Sequence, residues 1–313
     1  MPLDARVRRF LAALSAGARS DSSSASPAER RAALAALMAF SGPADPVERI
    51  EQRVVPGPAG PIAVRLYVPV GLGADSVPGP GLVYFHGGGL VAGSLDTHEP
   101  ISRALATAGQ CRVVSVDYRL GPEHPFPAAI DDAQSALAAV AGSAVEFGID
   151  PARLGVAGDS AGAALAAVVC QLGQPQAWQP LRLQLLICPI LDYAGSTDSR
   201  REFGTGYLVD EATLAHDLLH YLPSGVDPTN PRVSPLRADD LSRTPPTSIH
   251  TAEFDPLRDD GRAYYESLVQ SGTDVSYTCH AGMIHLFYGM GGVIPYAREA
   301  FGLIGRDIRA ALA

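Results

Sequence analysis

The sequence predicts an α/β protein: a mostly parallel central sheet flanked by helices, with a helical cap. Three observations predict it. Apolar strands near residues 82–85, 112–117, 153–157, 183–188, 247–252 and 275–279 alternate with helical segments near 97–108, 127–141, 161–172, 257–271 and 296–312. That rhythm builds a mostly parallel sheet covered on both faces. The run Leu154–Ala157 is small and apolar throughout, as a strand buried on both faces requires. Finally, the rhythm breaks between Pro189 and Pro246, in an interval holding Tyr193, Phe203, Tyr207, Leu208, Leu214, Leu218, Leu219 and Tyr221. It is too long for an ordinary connection, and insertions of this size are often lids or binding elements.

Composition narrows the function classes. The chain has 313 residues, 47% of them apolar and 18% charged, so it can bury a sizeable core and is not largely disordered. Its formal charge of −9 disfavours nucleic acid and anionic membrane surfaces as partners. A neutral small-molecule substrate fits better. Cys111, Cys170, Cys188 and Cys279 are scattered without a C-x-x-C. A disulfide framework or structural zinc site is therefore not expected, and a reducing cytoplasm is the simplest location. No run of about 18 apolar residues occurs, so no membrane span is expected. Arg6, Arg8 and Arg9 followed by serines resemble a transit peptide, but Asp4, Asp21 and Glu29 count against that.

Along the chain, Leu3, Val7, Phe10, Leu11 and Leu14 fall at helical spacing. After the Ser20–Ser26 break, Ser26-Pro27-Ala28-Glu29 reads as a capping box with proline at the first helical position. Leu34, Leu37 and Met38 give that helix an apolar face. Two helices this short are expected to pack on the main body rather than form a coiled-coil arm. Ile62, Val64, Leu66 and Val68 alternate with Ala63, Arg65 and Tyr67 as a strand, and Gly71–Gly81 is a loop. The expected organisation is N-terminal cap helices over 1–45, a core over 46–190, a cap insertion over 191–245, and a second core part over 246–313.

The chemistry centres on Gly158-Asp159-Ser160-Ala161-Gly162, between the strand ending near Ala157 and the helix that follows. A serine on so sharp a turn needs small neighbours two residues away, and it gains an exposed hydroxyl beside helix-start N–H groups. This is the nucleophile elbow of the α/β-hydrolase fold. A serine hydroxyl needs a base, and the base an orienting carboxylate, in the chain order serine, acid, histidine. Of eight histidines, only His280 and His285 follow a plausible acid loop. His280 falls at the Val275–Cys279 strand, where a core role is expected. His285 falls beyond Gly282 in a loop past the last strand, a favoured place for reacting groups. Asp255 directly follows the strand Ser248–Phe254. Asp259 and Asp260 fall a turn later, where they favour a helix dipole, and Glu253 falls on the strand. Position favours Asp255, with an N-cap role as its alternative.

Upstream, Tyr84-Phe85-His86-Gly87-Gly88-Gly89-Leu90 follows a strand. Its glycines let backbone N–H groups turn inward, and with the N–H of Ala161 they can hold an oxyanion. His86 is read as structural. No Gly-Lys-Ser/Thr follows, so a phosphate loop is unsupported. His216-Asp217-Leu218-Leu219-His220 places two histidines a helical turn apart, but aspartate replaces the glutamate of H-E-x-x-H and no third ligand is evident. We read it as an exposed face of a cap helix and expect no metal.

Five pieces in order resemble the hormone-sensitive lipase family of α/β-hydrolase esterases, the bacterial type IV group. They are His86-Gly-Gly-Gly89, Asp117-Tyr-Arg-Leu-Gly-Pro-Glu-His-Pro-Phe-Pro127, Gly158-Asp-Ser-Ala-Gly162, Asp255-Pro-Leu-Arg258 and Gly282-Met-Ile-His285. The resemblance implies a triad of Ser160, Asp255 and His285, and an oxyanion hole from Gly88, Gly89 and Ala161. It also implies no cofactor, ester substrates with short to medium acyl chains, and, in many members, a homodimer. The chain departs from the family pattern at Leu90, Gly121, Ala163 and Leu286, none of which removes a reacting group. Leu90 and Leu286 lie near the expected pocket. With Asp159 beside the nucleophile and Phe203, Tyr207, Leu208 and Leu214 of the insertion, they are the candidate substrate-binding residues. The expected activity is a serine carboxylesterase that loses rate in acid, as a histidine base would. The rivals are a non-catalytic small-molecule receptor on the same scaffold and a zinc hydrolase.

Overall fold

The computed structural model describes residues 2–16, 25–72, 77–173 and 179–313. Most of the Ser20–Ser26 stretch and part of the Gly71–Gly81 loop lie outside these residues. Among the described residues eight strands form one sheet: β1 (Val47–Val55), β2 (Ile62–Pro69), β3 (Gly79–Phe85), β4 (Arg112–Val116), β5 (Ile149–Asp159), β6 (Leu183–Ile187), β7 (Thr247–Phe254) and β8 (Val275–Ile284). Their spatial order is β1-β2-β4-β3-β5-β6-β7-β8. β1 and β2 pair antiparallel, as do β2 and β4, and every later pairing is parallel.

The helices are α1 (Ala5–Ala16), α2 (Pro27–Met38), α3 (Glu99–Gly109), α4 (Ala128–Gly142), α5 (Ala161–Gln171), α6 (Asp198–Phe203), α7 (Glu211–Tyr221), α8 (Arg258–Gln270) and α9 (Tyr296–Ala311). Successive side chains of a strand point to opposite faces, and β3 supplies both layers. Val83 and Phe85 join the core beneath α4, α5 and α8, while Leu82 and Tyr84 join the one beneath α3 and α9. Each fully buried Leu, Ile or Phe in these layers contributes about 1.5–3 kcal/mol. None of the described helices is long and apolar enough to cross a membrane.

β1 is a strand that the periodicity does not announce. Val47, Ile50 and Val54 sit three and four residues apart, a helix-like spacing, and ladder pairing with β2 overrides it. As an edge strand it carries alternating charge, and Glu51 pairs with Arg53 and Arg49.

The N-terminal helices pack on the body. Val7 and Phe10 of α1 are buried, and the Asp4 N–H donates to the Gly282 carbonyl at 3.1 Å. α2 starts with the expected capping box, the Ser26 hydroxyl accepting from the Glu29 N–H and the Glu29 carboxylate from the Ser26 N–H. The interval between β6 and β7 holds α6 and α7. The expectation of an exposed histidine face on α7 is corrected. His216 and Asp217 are buried. His216 Nε2 lies 2.6 Å from the Ala25 carbonyl, which only an N–H can satisfy. The helix turns this face inward because α2 and its approach segment cover it. A nitrogen whose proton is directed at a carbonyl offers no lone pair to a metal.

Candidate active site

The elbow forms where β5 meets α5. Ser160 has φ 52 and ψ −118, a conformation that L-residues rarely adopt. Its N–H donates to the Ile187 carbonyl at 2.8 Å, and its own carbonyl accepts from the Ile190 N–H at 3.3 Å, so the end of β6 and the segment just past it hold the strained residue from both sides. The flanking glycines are sterically required. A Cβ on Gly158 would fall on the Gly162 carbonyl, and one on Gly162 on the carbonyl oxygens of Phe85 and His86.

β7 ends one residue before Asp255, and β8 ends one residue before His285. The structure brings both to Ser160. His285 Nδ1 lies 2.8 Å from Oδ2 of Asp255, and His285 Nε2 lies 3.0 Å from the Ser160 hydroxyl oxygen. Oδ1 of Asp255 accepts from the Leu257 N–H at 2.8 Å. With the carboxylate accepting Nδ1–H, neutral imidazole presents its Nε2 lone pair to the serine hydroxyl. Asp255 and His285 are both buried. Asp259 and Asp260 sit in the first turn of α8. Asp259 accepts from the Ser199 N–H, and buried Asp260 pairs with Arg200 at 3.2 Å. His280 is buried too. It contacts His250 Nδ1 through Nε2, and the Tyr296 hydroxyl through Nδ1, each at 3.1 Å.

The glycine loop leaves the carboxyl end of β3 beside the elbow. Gly88 has φ +121 and Gly89 φ +68, and a Cβ on Gly88 would strike the Ala92 carbonyl. Among the described residues, the N–H groups of Gly88, Gly89 and Ala161 find no acceptor, and all three residues line the same cavity as Ser160 and His285. His86 stacks on Tyr118 with ring centroids 4.4 Å apart, and its Nδ1 is 2.8 Å from the Gly87 carbonyl. Burial pushes its imidazole down to about 3, so it stays neutral as a structural residue.

Asp159 lines this cavity, yet its carboxylate is committed to the framework. It is fully buried and accepts from the Tyr84 hydroxyl at 2.5 Å, the Gly87 N–H at 2.8 Å and the Tyr288 hydroxyl at 2.9 Å. Burial holds its pKa above the ordinary carboxylate value against the pull of these donors. Tyr84 and Tyr288, which sequence reasoning did not single out, are thereby part of the site. Tyr84 stands one residue before Phe85-His86, and Tyr288 three residues after His285. No motif joins them.

The cavity has a volume of about 770 Å³. Leu208, Leu214 and Leu286 line it, together with Ile190 and, from α2, Leu34 and Leu37. Three expected pocket residues lie elsewhere. Leu90, at φ 62, is turned into the core beneath α4 and α5. Phe203 packs against Phe254 with centroids 5.4 Å apart, under the Arg258 guanidinium. Tyr207 stacks on Phe254 at 5.7 Å. Aromatic self-association draws the latter two away from the cavity.

Among the described residues, one grouping has metal-type donor atoms close together: Cys188, Asp255 and His285, within 4.8 Å of one another. Asp255 and His285 already lie 2.8 Å apart in hydrogen-bond contact, and burial pushes the Cys188 thiol well up, so it stays protonated. That donor set suits hydrogen bonding rather than a cation.

Residues 82–289 match a protein family described as having the alpha/beta hydrolase fold. The chain is 43% identical to the carboxylesterase NlhH of Mycobacterium tuberculosis, over 82% of this chain and 81% of that protein. It is 40% identical to the esterase LipI of the same organism, again over 82% and 81%. The chain belongs to the hormone-sensitive lipase family of α/β-hydrolases. Like these relatives, this family member is a carboxylic ester hydrolase. Its fold superimposes on a hyperthermophilic esterase of the archaeon Pyrobaculum calidifontis with a TM-score of 0.91, at 35% identity over the whole of both chains. It also superimposes on an ester hydrolase from the metagenome of Lake Arreo with a TM-score of 0.93, at 36% identity over 98% of both.

Proposed function

We propose that the chain hydrolyses short- to medium-chain acyl esters by a Ser160–His285–Asp255 triad through an acyl-enzyme. The observation that carries this is the unbroken chain of contacts from Asp255 through His285 to the Ser160 hydroxyl, at 2.8 and 3.0 Å, opening onto an apolar cavity. His285 takes the serine proton as the oxygen attacks the ester carbonyl, and Asp255 supports the imidazolium. The N–H groups of Gly88, Gly89 and Ala161 receive the oxyanion, and one such donor is typically worth roughly 3 kcal/mol of barrier. His285 then protonates the departing alcohol. Water, activated by the same imidazole, releases the acid and restores the serine. The cavity volume of about 770 Å³ lies within the usual range for small-molecule sites, ~300–1,000 Å³. The N-terminal helices and the 191–245 segment act together as the cap that selects the acyl chain. The test is turnover of p-nitrophenyl esters from acetate to palmitate by the wild type and Ser160→Ala. Wild-type activity should peak at or below medium chain length and vanish in the variant. Residual near-wild-type turnover in Ser160→Ala, or a preference for palmitate, overturns the reading.

A further inference from the structure

The cavity wall beside the oxyanion loop holds an ion pair for which the proposed chemistry has no use. Arg30 on α2 grips Asp217 on α7, with Nε 3.1 and 3.2 Å from the two carboxylate oxygens and Nη2 2.9 Å from Oδ2. Both residues line the cavity, and their side chains are only 16% and 3% exposed. The carboxylate presses on the loop itself, since a Cβ built on Gly89 would fall on Oδ2 of Asp217. A negative charge therefore sits against the very residue whose amide is to meet a second one. In a water-poor site, like charges a few ångströms apart oppose each other strongly. His216 approaches Asp217 from its own helix, but Nδ1 is 3.4 Å from Oδ1, too long for a strong hydrogen bond. Glu29 and Asp210, which also line the cavity, add acidic groups. Among the described residues lining it, Arg30 is the only arginine or lysine.

We propose that Arg30 is an electrostatic positioning residue, neutralising the Asp217 carboxylate held against Gly89 so that the loop can stabilise an anionic intermediate. This rests on reading Ser160 as the nucleophile of acyl transfer. A simple latch between α2 and α7 is the competing account, and removing the charge from one side or from both separates the two. A latch is broken in every variant that loses either partner. A neutraliser matters only while its carboxylate is present.

The experiment measures kcat, KM and melting temperature with p-nitrophenyl butyrate for the wild type, R30M, R30K, D217N and R30M/D217N. R30M should lose at least about tenfold in kcat with little change in KM. R30K, which keeps the charge, should retain most of kcat. D217N should raise kcat, and R30M/D217N should recover most of what R30M loses. A wild-type kcat in R30M, or equal impairment of R30M, D217N and the double variant, overturns the proposal. If R30M fails to fold, D217N decides alone, a tenfold fall in its kcat counting against the neutralising role. Wild-type turnover that Ser160→Ala abolishes establishes the underlying reading separately, so a flat response to R30M overturns only the role given to Arg30.

Discussion

The Tyr288 hydroxyl donates to Oδ2 of Asp159 at 2.9 Å, tying the segment just past His285 to the residue just before Ser160. The other carboxylate oxygen holds the Tyr84 hydroxyl and the Gly87 N–H. One buried group thus fixes the end of β3, the glycine loop and the turn after β8 relative to Ser160. Asp159→Ala would leave two phenols and an amide buried without an acceptor, each at a cost of about 1–3 kcal/mol. We expect a stability loss of several kcal/mol in urea unfolding and a kcat reduced more than tenfold. Tyr288→Phe removes a single donor and should cost about 1 kcal/mol. A D159A protein as stable and active as the wild type would show that the loops are held by something else.

Asp255→Asn tests the orientation of His285. The amide group can donate where the carboxylate accepts, which turns the imidazole to the tautomer with its proton on Nε2 and no lone pair for Ser160. We expect kcat to fall on the order of 10³–10⁴-fold with the fold intact. Circular dichroism and kcat on p-nitrophenyl butyrate check both halves. A loss below tenfold would remove Asp255 from the relay.

Two glycine-to-alanine substitutions should act in opposite directions. At Gly162 a Cβ would fall on the backbone oxygens of Phe85 and His86, which cannot move without displacing the glycine loop that follows them. Gly162→Ala should therefore reduce both stability and turnover. At Gly302, inside α9, a Cβ meets nothing within 4 Å. Gly302→Ala should stabilise by about 0.5–1 kcal/mol through better helix propensity, with turnover unaltered. Thermal melts and initial rates on the two proteins decide it.

Stability should fall in acid for an identifiable reason. Burial pushes the imidazoles of His86, His98 and His280 down to about 3. Between about 6.5 and 3 each is protonated in the unfolded chain and neutral in the fold, so unfolding takes up protons and stability declines as pH falls. Asp260 works the other way. Burial raises its carboxyl to about 6, so between about 4 and 6 it is protonated only in the fold, and its contribution is lost as pH rises through 6. In unfolding free energies measured from pH 4 to 6, His280→Gln should flatten the wild-type slope by about 1.4 kcal/mol per pH unit, and Asp260→Asn should steepen it by a similar amount. Parallel slopes for all three proteins would contradict the assignment.

What the sequence reveals is what short-range spacing encodes. The elbow around Ser160 is legible because strand, tight turn and helix are contiguous. Asp255 and His285 are legible because each follows the end of a strand in a fixed chain order. Contacts between distant segments are not written that way. Arg30 and Asp217 stand 187 positions apart and meet only because α2 lies over α7. Leu90 follows the glycine loop, but its positive φ directs the side chain into the core, which a list of residues near a motif cannot show. Phe203 and Tyr207 satisfy the general rule that aromatics of an insertion face a ligand until Phe254 supplies a better partner. His216 has a helical spacing that suits solvent as well as interior, and only the neighbouring Ala25 carbonyl decides between them.

Among the described residues, the backbone of α2, which carries Leu34 and Leu37, makes no bond to the sheet, yet these two side chains form one side of the chamber onto which Ser160 opens. Ser160, Asp255 and His285 are anchored to strand ends, so drift at Leu34 and Leu37 should redraw which molecules are admitted, whereas drift at Arg30 would reach the glycine loop through Asp217. Grafting α2 from one relative onto another, with Arg30 kept in place, is thus a route to new selectivity that spares the engine.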